Sequence, residues 1–252
     1  MMSLFDLCLL SLAGFGAGFV DSVAGGGGII TLPALLAVGI PPHFALATNK
    51  LQSSFGSFTA TLNYIKRGLL SLDKMAKGVF FTFVGASIGA IVVQFFSSQF
   101  LSDFIIVMLI FLFLFTLKNK TLGFQEKRAK MKEGVFYTLF GLSIGFYDGF
   151  FGPGTGSFWT IALVTLLGLH LKNATAQTKL FNFTSNIVSL GVFALSGLVL
   201  VKIGLIMGVG QIIGAYAGST MVAKKETTFV RYIFLVVVAL TILKLIYDKF
   251  YS

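Results

Sequence analysis

The chain has 252 residues, of which 56% are hydrophobic and 11% are charged. A soluble domain carries about 25% charged residues, so the composition excludes a soluble protein and indicates an all-α, polytopic membrane protein. The formal net charge of +10 does not indicate nucleic-acid binding, because the basic residues lie in short loops, where Lys and Arg mark the cytoplasmic side of a membrane.

Apolar runs, separated by glycine, proline and charged residues, predict ten membrane segments. The second and seventh are short, since twelve helical residues rise about 18 Å against a hydrocarbon core about 30 Å thick. In chain order the predicted segments are 4–24, 29–40, 44–65, 78–97, 101–117, 134–151, 155–170, 175–200, 203–222 and 229–247.

The basic loops predict the orientation of the segments. The positive-inside rule places all of these loops in the cytoplasm and both termini on the opposite side. The count of crossings is consistent if segments six and seven either both span the membrane or form one hairpin that enters and returns on the same side. The residues concerned are Lys66, Arg67, Lys74, Lys77, Lys118, Lys120, Lys127, Arg128, Lys130, Lys132, Lys224, Lys225 and Arg231.

Three short strings recur in the same order and predict an internal repeat of about 125 residues. We expect repeat 1 over 1–117, a basic cytoplasmic loop over 118–133, and repeat 2 over 134–252. Each half has five segments, or three plus a hairpin, and either odd number gives the halves opposite orientations, an arrangement typical of transporters. The matches are Gly18-Phe19-x-Asp21 with Gly145-Phe146-x-Asp148, Ala45-x-Ala47-x-x-Lys50-Leu51 with Ala174-x-Ala176-x-x-Lys179-Leu180, and Val84-Gly85-x-x-Ile88-Gly89-Ala90 with Val209-Gly210-x-x-Ile213-Gly214-Ala215.

Four ionisable residues in the membrane segments form matched pairs, Asp21 with Lys50 in the first half and Asp148 with Lys179 in the second. Ionisable residues are costly in a bilayer, and each is therefore a functional hypothesis. The alternative is that each acid–base pair is a structural salt bridge that fixes the register of two helices.

Glycine runs follow both aspartates, and Thr155 lies within the second run. We expect these runs to break the helix and leave free N–H groups at the start of the next short helix, where anions bind. The alternative for glycine is close helix packing, which we prefer for Gly14, Gly16, Gly18, Gly85, Gly89, Gly210, Gly214 and Gly218. The two runs are Gly25, Gly26, Gly27 and Gly28, and Gly152, Gly154 and Gly156 around Pro153.

Polar residues beside each lysine recur at a spacing of four, which aligns them on one helix face. They predict a hydrophilic path, although interhelical hydrogen bonding would also explain any single residue. His43 and His170 lack further ligands at metal spacing, so we expect interfacial positions for both, and no metal or cofactor. The polar residues are Asn49, Ser53 and Ser57, then Thr178, Asn182 and Asn186, widened by Thr48, Gln52, Gln177 and Ser185.

The strings G-F-V-D-S-V-A-G-G-G-G-I-I-T-L-P-A-L, A-L-A-T-N-K-L-Q and G-F-Y-D-G-F-F-G-P-G-T-G-S-F resemble the sulfite exporter TauE/SafE family, also called the 4-toluene sulfonate uptake permeases. The resemblance extends over essentially the whole chain and is nearest to bacterial inner-membrane members. It implies a secondary transporter of small sulfur-containing or organic anions such as sulfite, sulfonates or sulfoacetate. The positions it carries over are Asp21, Gly25 to Gly28, Asn49, Lys50, Asp148, Gly152, Gly154 and Lys179.

The hypothesis is therefore a proton-coupled anion transporter of the bacterial inner membrane, with alternating access about a midplane site. Asp21 and Asp148 would hold the lysines or carry the coupling proton. A passive anion channel and an intramembrane aspartyl protease are the alternatives. The expected partners are the small anion and the lipid bilayer. The sequence leaves open whether the protein forms a homodimer. The predicted substrate-binding residues are Gly25, Gly26, Gly27, Gly28, Asn49, Lys50, Gln52, Ser53, Gly152, Gly154, Thr155, Gln177, Lys179, Asn182 and Asn186.

Overall fold

A computed structural model describes residues 4–73, 75–118 and 128–224. Within these ranges the chain forms nine α-helices and no β-strand, which confirms the all-α class. The predicted tenth segment, 229–247, lies outside the described residues. The helices are α1 Leu4–Ala24, α2 Gly27–Ala37, α3 Pro42–Lys66, α4 Ala76–Val92, continued by a 3-10 turn at Val93–Phe95, α5 Ser98–Lys118, α6 Glu133–Phe150, α7 Thr155–Leu166, α8 Leu171–Leu195 and α9 Val201–Lys224.

The two short helices lie where the sequence predicts them. Helix α2 has 11 residues and α7 has 12, so each rises only about half the thickness of the hydrocarbon core. Among the described helices, three are long and apolar enough to cross a membrane: α1, α4 with its 3-10 turn, and α9. Helices α3 and α8, with 25 residues each, are long enough to cross but carry the polar positions.

The beginnings of α3 and α8 have local causes. Pro42 occupies the first turn of α3, where its missing N–H costs no hydrogen bond. Helix α8 begins four residues before the predicted segment, because the His170 ring accepts a hydrogen bond from the backbone N–H of Lys172 at 3.3 Å. His170 is thus the N-cap of α8.

Glycines bring the long helices into close backbone contact, α1 along α9 and α6 along α4. A Cβ on Gly14 would overlap Met207, and one on Gly145 would overlap Thr82. Packing accounts in the same way for all the glycines predicted to pack, with one exception. For Gly16 the described residues provide no such contact, since none of their atoms lies within 4 Å of the position its Cβ would take.

Helix packing also corrects the register of the third sequence match. Gly85 lies against Leu142 and Phe146 of α6. In the repeat, Leu142 and Phe146 are matched by Phe15 and Phe19 of α1. Gly214 is the glycine that lies against Phe15 and Phe19. Gly85 therefore corresponds in packing to Gly214 rather than to Gly210, one helical turn from the predicted match. The glycine spacing of four repeats on both helices, so the glycines fit either register, although the residues between them favour the match with Gly210.

Helices α3 and α8 pack against each other, with α9 against α3 and α4 against α8. Their polar faces meet, since Asn186 Nδ2 lies 3.5 Å from Ser57 Oγ. Basic residues gather at one end of the bundle. There Arg67 donates to Thr220 Oγ1 at 3.1 Å, and Lys172 donates to the carbonyl of Ala223 at 3.4 Å.

Candidate substrate site between the broken helices

The site begins at two breaks in the helical backbone. Gly25, between α1 and α2, has φ +76°, and Gly152 and Gly154, before α7, have φ +96° and +81°. Glycine adopts this left-handed conformation without the steric cost that a Cβ imposes. These three glycines stop α1 and α6 and let the chain begin a new helix in a new direction.

The two breaks meet. Ser157, in the first turn of α7, donates a hydrogen bond to the carbonyl of Ala24, the last residue of α1, at 2.8 Å. A Cβ on either Gly25 or Gly156 would overlap the backbone of the other. The N-terminal ends of α2 and α7, each with a partial positive charge, therefore lie side by side.

One aspartate lies in the last turn of each helix before its break, and both form buried salt bridges. Lys50 Nζ lies 2.6 Å from Asp148 Oδ1, and Lys179 Nζ lies 2.9 Å from Asp21 Oδ2. Each ammonium also donates to the backbone carbonyl of its aspartate. The predicted pairing of Asp21 with Lys50 and of Asp148 with Lys179 is wrong, because each lysine pairs with the aspartate of the other half.

The carboxylates have different second partners. Asp148 Oδ2 accepts a hydrogen bond from the Ser185 hydroxyl, and the Asp148 side chain is only 5% exposed. Asp21 Oδ1 accepts from the backbone N–H of Gly27, the first residue of α2, at 3.3 Å. The Asp21 side chain is 19% exposed.

Between the breaks lies a small polar cavity of about 20 Å³, a volume for about one water molecule. It has both acids and both polar helix faces in its wall. The ammonium groups of Lys50 and Lys179 lie behind the carboxylates and do not line it. The lining residues are Asp21, Gly25, Gly28, Asn49, Ser53, Asp148, Gly152, Gly154, Thr155, Gly156, Asn182 and Asn186.

The structure thus brings together most of the predicted site, with some exceptions. Gly26, Gly27 and Gln52 do not line the cavity. Gln177 lies away from it and accepts a hydrogen bond from the Tyr137 hydroxyl at 3.2 Å. The position of Gln177 contradicts its predicted role, since residues two apart point to nearly opposite sides of a helix and Lys179 faces the site. Gly156 is an additional lining residue, which the G-P-G-T-G string could have indicated.

Equivalent hydrogen bonds hold each short helix to the following long one. Thr31 of α2 donates to Asn49 Oδ1 at 2.5 Å, and Thr160 of α7 lies 3.1 Å from Thr178 Oγ1. Asn182 also lines the cavity. Unlike Asn49 Oδ1, its buried Oδ1 has no hydrogen-bond partner among the residues that the structure describes. Asn182 therefore has unused hydrogen-bonding capacity at the cavity wall.

The histidines lie apart from this cavity. His43 Nδ1 lies 3.2 Å from Ser98 Oγ, and His170 caps α8. Within the described ranges, no three His, Cys, Asp or Glu side chains are grouped in a way that could hold a metal ion.

Comparison with known proteins identifies the family. The family described as "Sulfite exporter TauE/SafE" matches residues 10–245. The chain belongs to the TauE/SafE family. It is similar to the "Probable membrane transporter protein YfcA" of Escherichia coli K12, with 42% identity over 99% of the chain and 93% of that protein. No solved structure matches the chain.

Two further relatives extend the similarity to other bacteria. A "Probable membrane transporter protein" of Haemophilus influenzae is 38% identical over 96% of the chain and 95% of its own length. The "Probable membrane transporter protein ORF9" of a Sinorhizobium species is 40% identical over 96% of the chain and 93% of its own. The protein is accordingly a membrane transporter rather than an enzyme, and the cavity between the broken helices is its candidate substrate site.

Proposed function

We propose that the protein is a secondary transporter of small sulfur-containing or organic oxyanions, such as sulfite or a sulfonate, and that it is coupled to protons. The observation that carries this proposal is the meeting of two helix N-termini at one polar cavity, with two buried lysines bound to the aspartates that line it. Helix N-termini and ammonium groups are both anion ligands. Asn49, Ser53, Asn182 and Asn186 add neutral hydrogen-bonding groups to the wall.

The carboxylate of Asp21 is itself an anion held in this way. It accepts one hydrogen bond from the start of α2 and one from Lys179. An oxyanion that replaced it would receive the same two donors, so the exchange would preserve the hydrogen bonds of the site. Because the cavity has a volume of only about 20 Å³, the exchange requires the helix ends to separate.

The displaced carboxylate provides a route to proton coupling. A carboxylate without its ammonium partner is costly in a weakly hydrated site, and protonation removes that cost. Asp21 would therefore take up a proton when substrate replaces it at Lys179, and release the proton when the salt bridge forms again. Asp148 lies in an equivalent position and is the second candidate.

Alternating access follows from the way the salt bridges connect the two halves. Each bridge joins α3 or α8 to the aspartate of the opposite half, so opening one bridge loosens the contact between the halves. The clustering of Arg67 and Lys172 at one end of the bundle supports a cytoplasmic location for that end in a bacterial inner membrane. In this orientation both termini lie outside the cytoplasm.

Two measurements test the proposal. Thermal unfolding of the purified protein is followed with sulfite, sulfate, sulfoacetate, taurine and carboxylates, and we expect at least one oxyanion to raise the melting temperature, because a ligand of the folded state stabilises it. In proteoliposomes, Lys50→Ala and Lys179→Ala should lose transport of that anion. Full transport by both variants would contradict the assignment.

The alternatives differ in what they need from the same residues. An aspartyl protease needs two carboxylates that share a proton, whereas here each aspartate is bonded to a lysine. A passive channel would conduct without saturation and without response to a proton gradient. We expect saturable, gradient-dependent flux in the proteoliposome assay.

A further inference from the structure

A chain of buried side-chain amides leads from α9 to the cavity wall. Gln211 Nε2 donates to Gln52 Oε1, and Gln52 Nε2 donates to Asn49 Oδ1 at 2.7 Å and to Ser53 Oγ at 3.0 Å. Gln211 is 1% exposed and Gln52 is 0% exposed. Gln211 is thus the buried far end of the chain and the one side-chain amide on α9.

This chain fixes which end of the Asn49 amide faces the cavity. Asn49 Oδ1 accepts from Gln52 on one side and from Thr31 Oγ1 on the other. Thr31 Oγ1 lies 2.5 Å from Asn49 Oδ1 and 3.2 Å from the carbonyl of Gly27, so the closer contact is the one in which the Thr31 hydroxyl donates to the Asn49 oxygen. With the oxygen held by two donors outside the cavity, the NH₂ group is the end left for the cavity.

Ser53 is oriented by the same chain. Its oxygen accepts from Gln52 Nε2, so its hydroxyl proton is available to donate. Asn49 and Ser53 both line the cavity, whereas Gln52 and Gln211 do not. The chain of amides therefore leaves two neutral donors for the cavity, the NH₂ group of Asn49 and the hydroxyl group of Ser53.

The space for this chain is provided by glycine. Gln211 Oε1 lies against Gly56, where any Cβ would overlap it, and a Cβ on Gly18 would lie 2.9 Å from the same oxygen. The described part of the second half, residues 134–224, has no such chain. Gln52 is replaced by Phe181, the residue two positions after Lys179, and Gln211 by Thr82, which packs on Gly145 as Gln211 packs on Gly18.

We propose that Gln211 is a positioning residue for the anion site, which through Gln52 fixes Asn49 and Ser53 as hydrogen-bond donors. An oxyanion such as sulfite or a sulfonate, whose oxygens only accept hydrogen bonds, matches this wall. A ligand that presents a donor towards Asn49 meets another donor and is rejected. This inference rests on the proposed anion transport and adds the feature of the site that selects the anion.

The test is a double-mutant cycle on binding. Dissociation constants of sulfite and of methanesulfonate are measured by calorimetry on the full chain in detergent, for the wild type, Gln211→Leu, Asn49→Ala and the double variant. We expect Gln211→Leu to raise the dissociation constant about tenfold, typical of one buried hydrogen bond. The double variant should bind more tightly than the two single effects together predict, because part of the Gln211 effect passes through Asn49.

Thr82→Val is the matched control. Thr82 packs on Gly145 as Gln211 packs on Gly18, and its Oγ1 has no hydrogen-bond partner among the described residues. We expect Thr82→Val to bind both anions with an affinity within about twofold of the wild type. If Gln211→Leu does not fold, Thr31→Val removes one donor to Asn49 with little change in shape. We expect Thr31→Val to weaken binding about threefold.

The possible outcomes separate this inference from the proposal on which it rests. Wild-type affinity in both Gln211→Leu and Thr31→Val would overturn the positioning role, and so would additive effects of Gln211→Leu and Asn49→Ala. Either result leaves anion binding itself intact. A wild-type protein that binds neither sulfite nor methanesulfonate would overturn the proposed function instead.

Discussion

The two buried ion pairs use the same residue types at equivalent positions, yet their surroundings differ. The side chains of Asp148 and Lys50 are 5% and 1% exposed, with 2.6 Å between the charged atoms, and Ser185 binds the second carboxylate oxygen. Asp21 is 19% exposed, lies 2.9 Å from Lys179, and has the start of α2 as its second partner. Both aspartates line the cavity, but the Asp148–Lys50 pair is the enclosed pair and the Asp21–Lys179 pair is the more exposed one.

The cause of this difference is one residue in each half. Ser185 lies six positions after Lys179, and the residue six positions after Lys50 is Gly56. Gly56 offers no hydroxyl to Asp21, and Gln211 fills the space beside it. We therefore expect the Asp148–Lys50 pair to act as a structural anchor and the Asp21–Lys179 pair to open during transport.

The largest effect should come from breaking the enclosed pair. Asp148→Asn leaves the buried ammonium of Lys50 without a counter-charge, and such a loss costs about 3–5 kcal/mol. We expect the free energy of unfolding, measured by denaturant titration in detergent, to fall by about this amount.

Removing both charges of the enclosed pair is the control. Replacing a buried ion pair by neutral residues of similar volume is often close to neutral, so Lys50→Met should restore much of the stability that Asp148→Asn loses. Lys50→Met should not rescue Asp21→Asn. A rescue of Asp21→Asn instead would show that the pairs form within each half.

Asp21→Asn should have a smaller effect on stability and a specific effect on transport. Because the Asp21 side chain borders the cavity and is partly hydrated, we expect a loss of about 1–2 kcal/mol. The variant cannot bind the coupling proton, so exchange of anion across the membrane should continue while proton-driven accumulation stops. Both rates are measured in proteoliposomes loaded with labelled sulfite.

The comparison of Asp21→Asn with Asp148→Asn shows which of the two aspartates carries the coupling proton. Proton-driven accumulation by Asp21→Asn equal to that of the wild type would contradict its role as the coupling residue. If Asp148→Asn instead stops accumulation while it still exchanges the anion, the proton is carried by Asp148.

The helix breaks and the polar faces could be predicted from the sequence because they follow local rules. Glycine runs after Asp21 and Asp148 stop a helix whatever surrounds them, and residues four apart share a face. The same rule should have excluded Gln177, which is two residues from Lys179. The partners of the lysines could not be predicted, because the repeat shows which residues correspond but not which half supplies the contact.

Two other features depend on packing between distant helices. The match of Gly85 with Gly210 gives more identical residues than its match with Gly214, and only the contacts with α6 and α1 show that packing follows the second match. Gln211 has a sequence signal, as a lone amide in an apolar helix, but its connection to Asn49 depends on the space left at Gly56.

Ser185→Ala tests the single hydrogen bond that distinguishes the enclosed pair. The substitution leaves the salt bridge in place and removes one donor to a buried carboxylate, which costs about 1.5–3 kcal/mol. We expect a fall towards the lower end of this range in the free energy of unfolding, because Lys50 still neutralises Asp148. An unchanged stability would mean that the seryl hydroxyl does not account for the difference between the pairs.

The smallest effect should come from the contact between α3 and α8 outside the ion pairs. Ser57 Oγ lies 3.5 Å from Asn186 Nδ2, a long distance for a hydrogen bond, and its hydroxyl already donates to the carbonyl of Ser53 at 2.7 Å. Hydrogen bonds between membrane helices contribute about 0.6 kcal/mol on average, so Ser57→Ala should lower the free energy of unfolding by no more than that. A loss of about 2 kcal/mol or more would show that the polar faces, and not the crossed ion pairs alone, hold the two halves together.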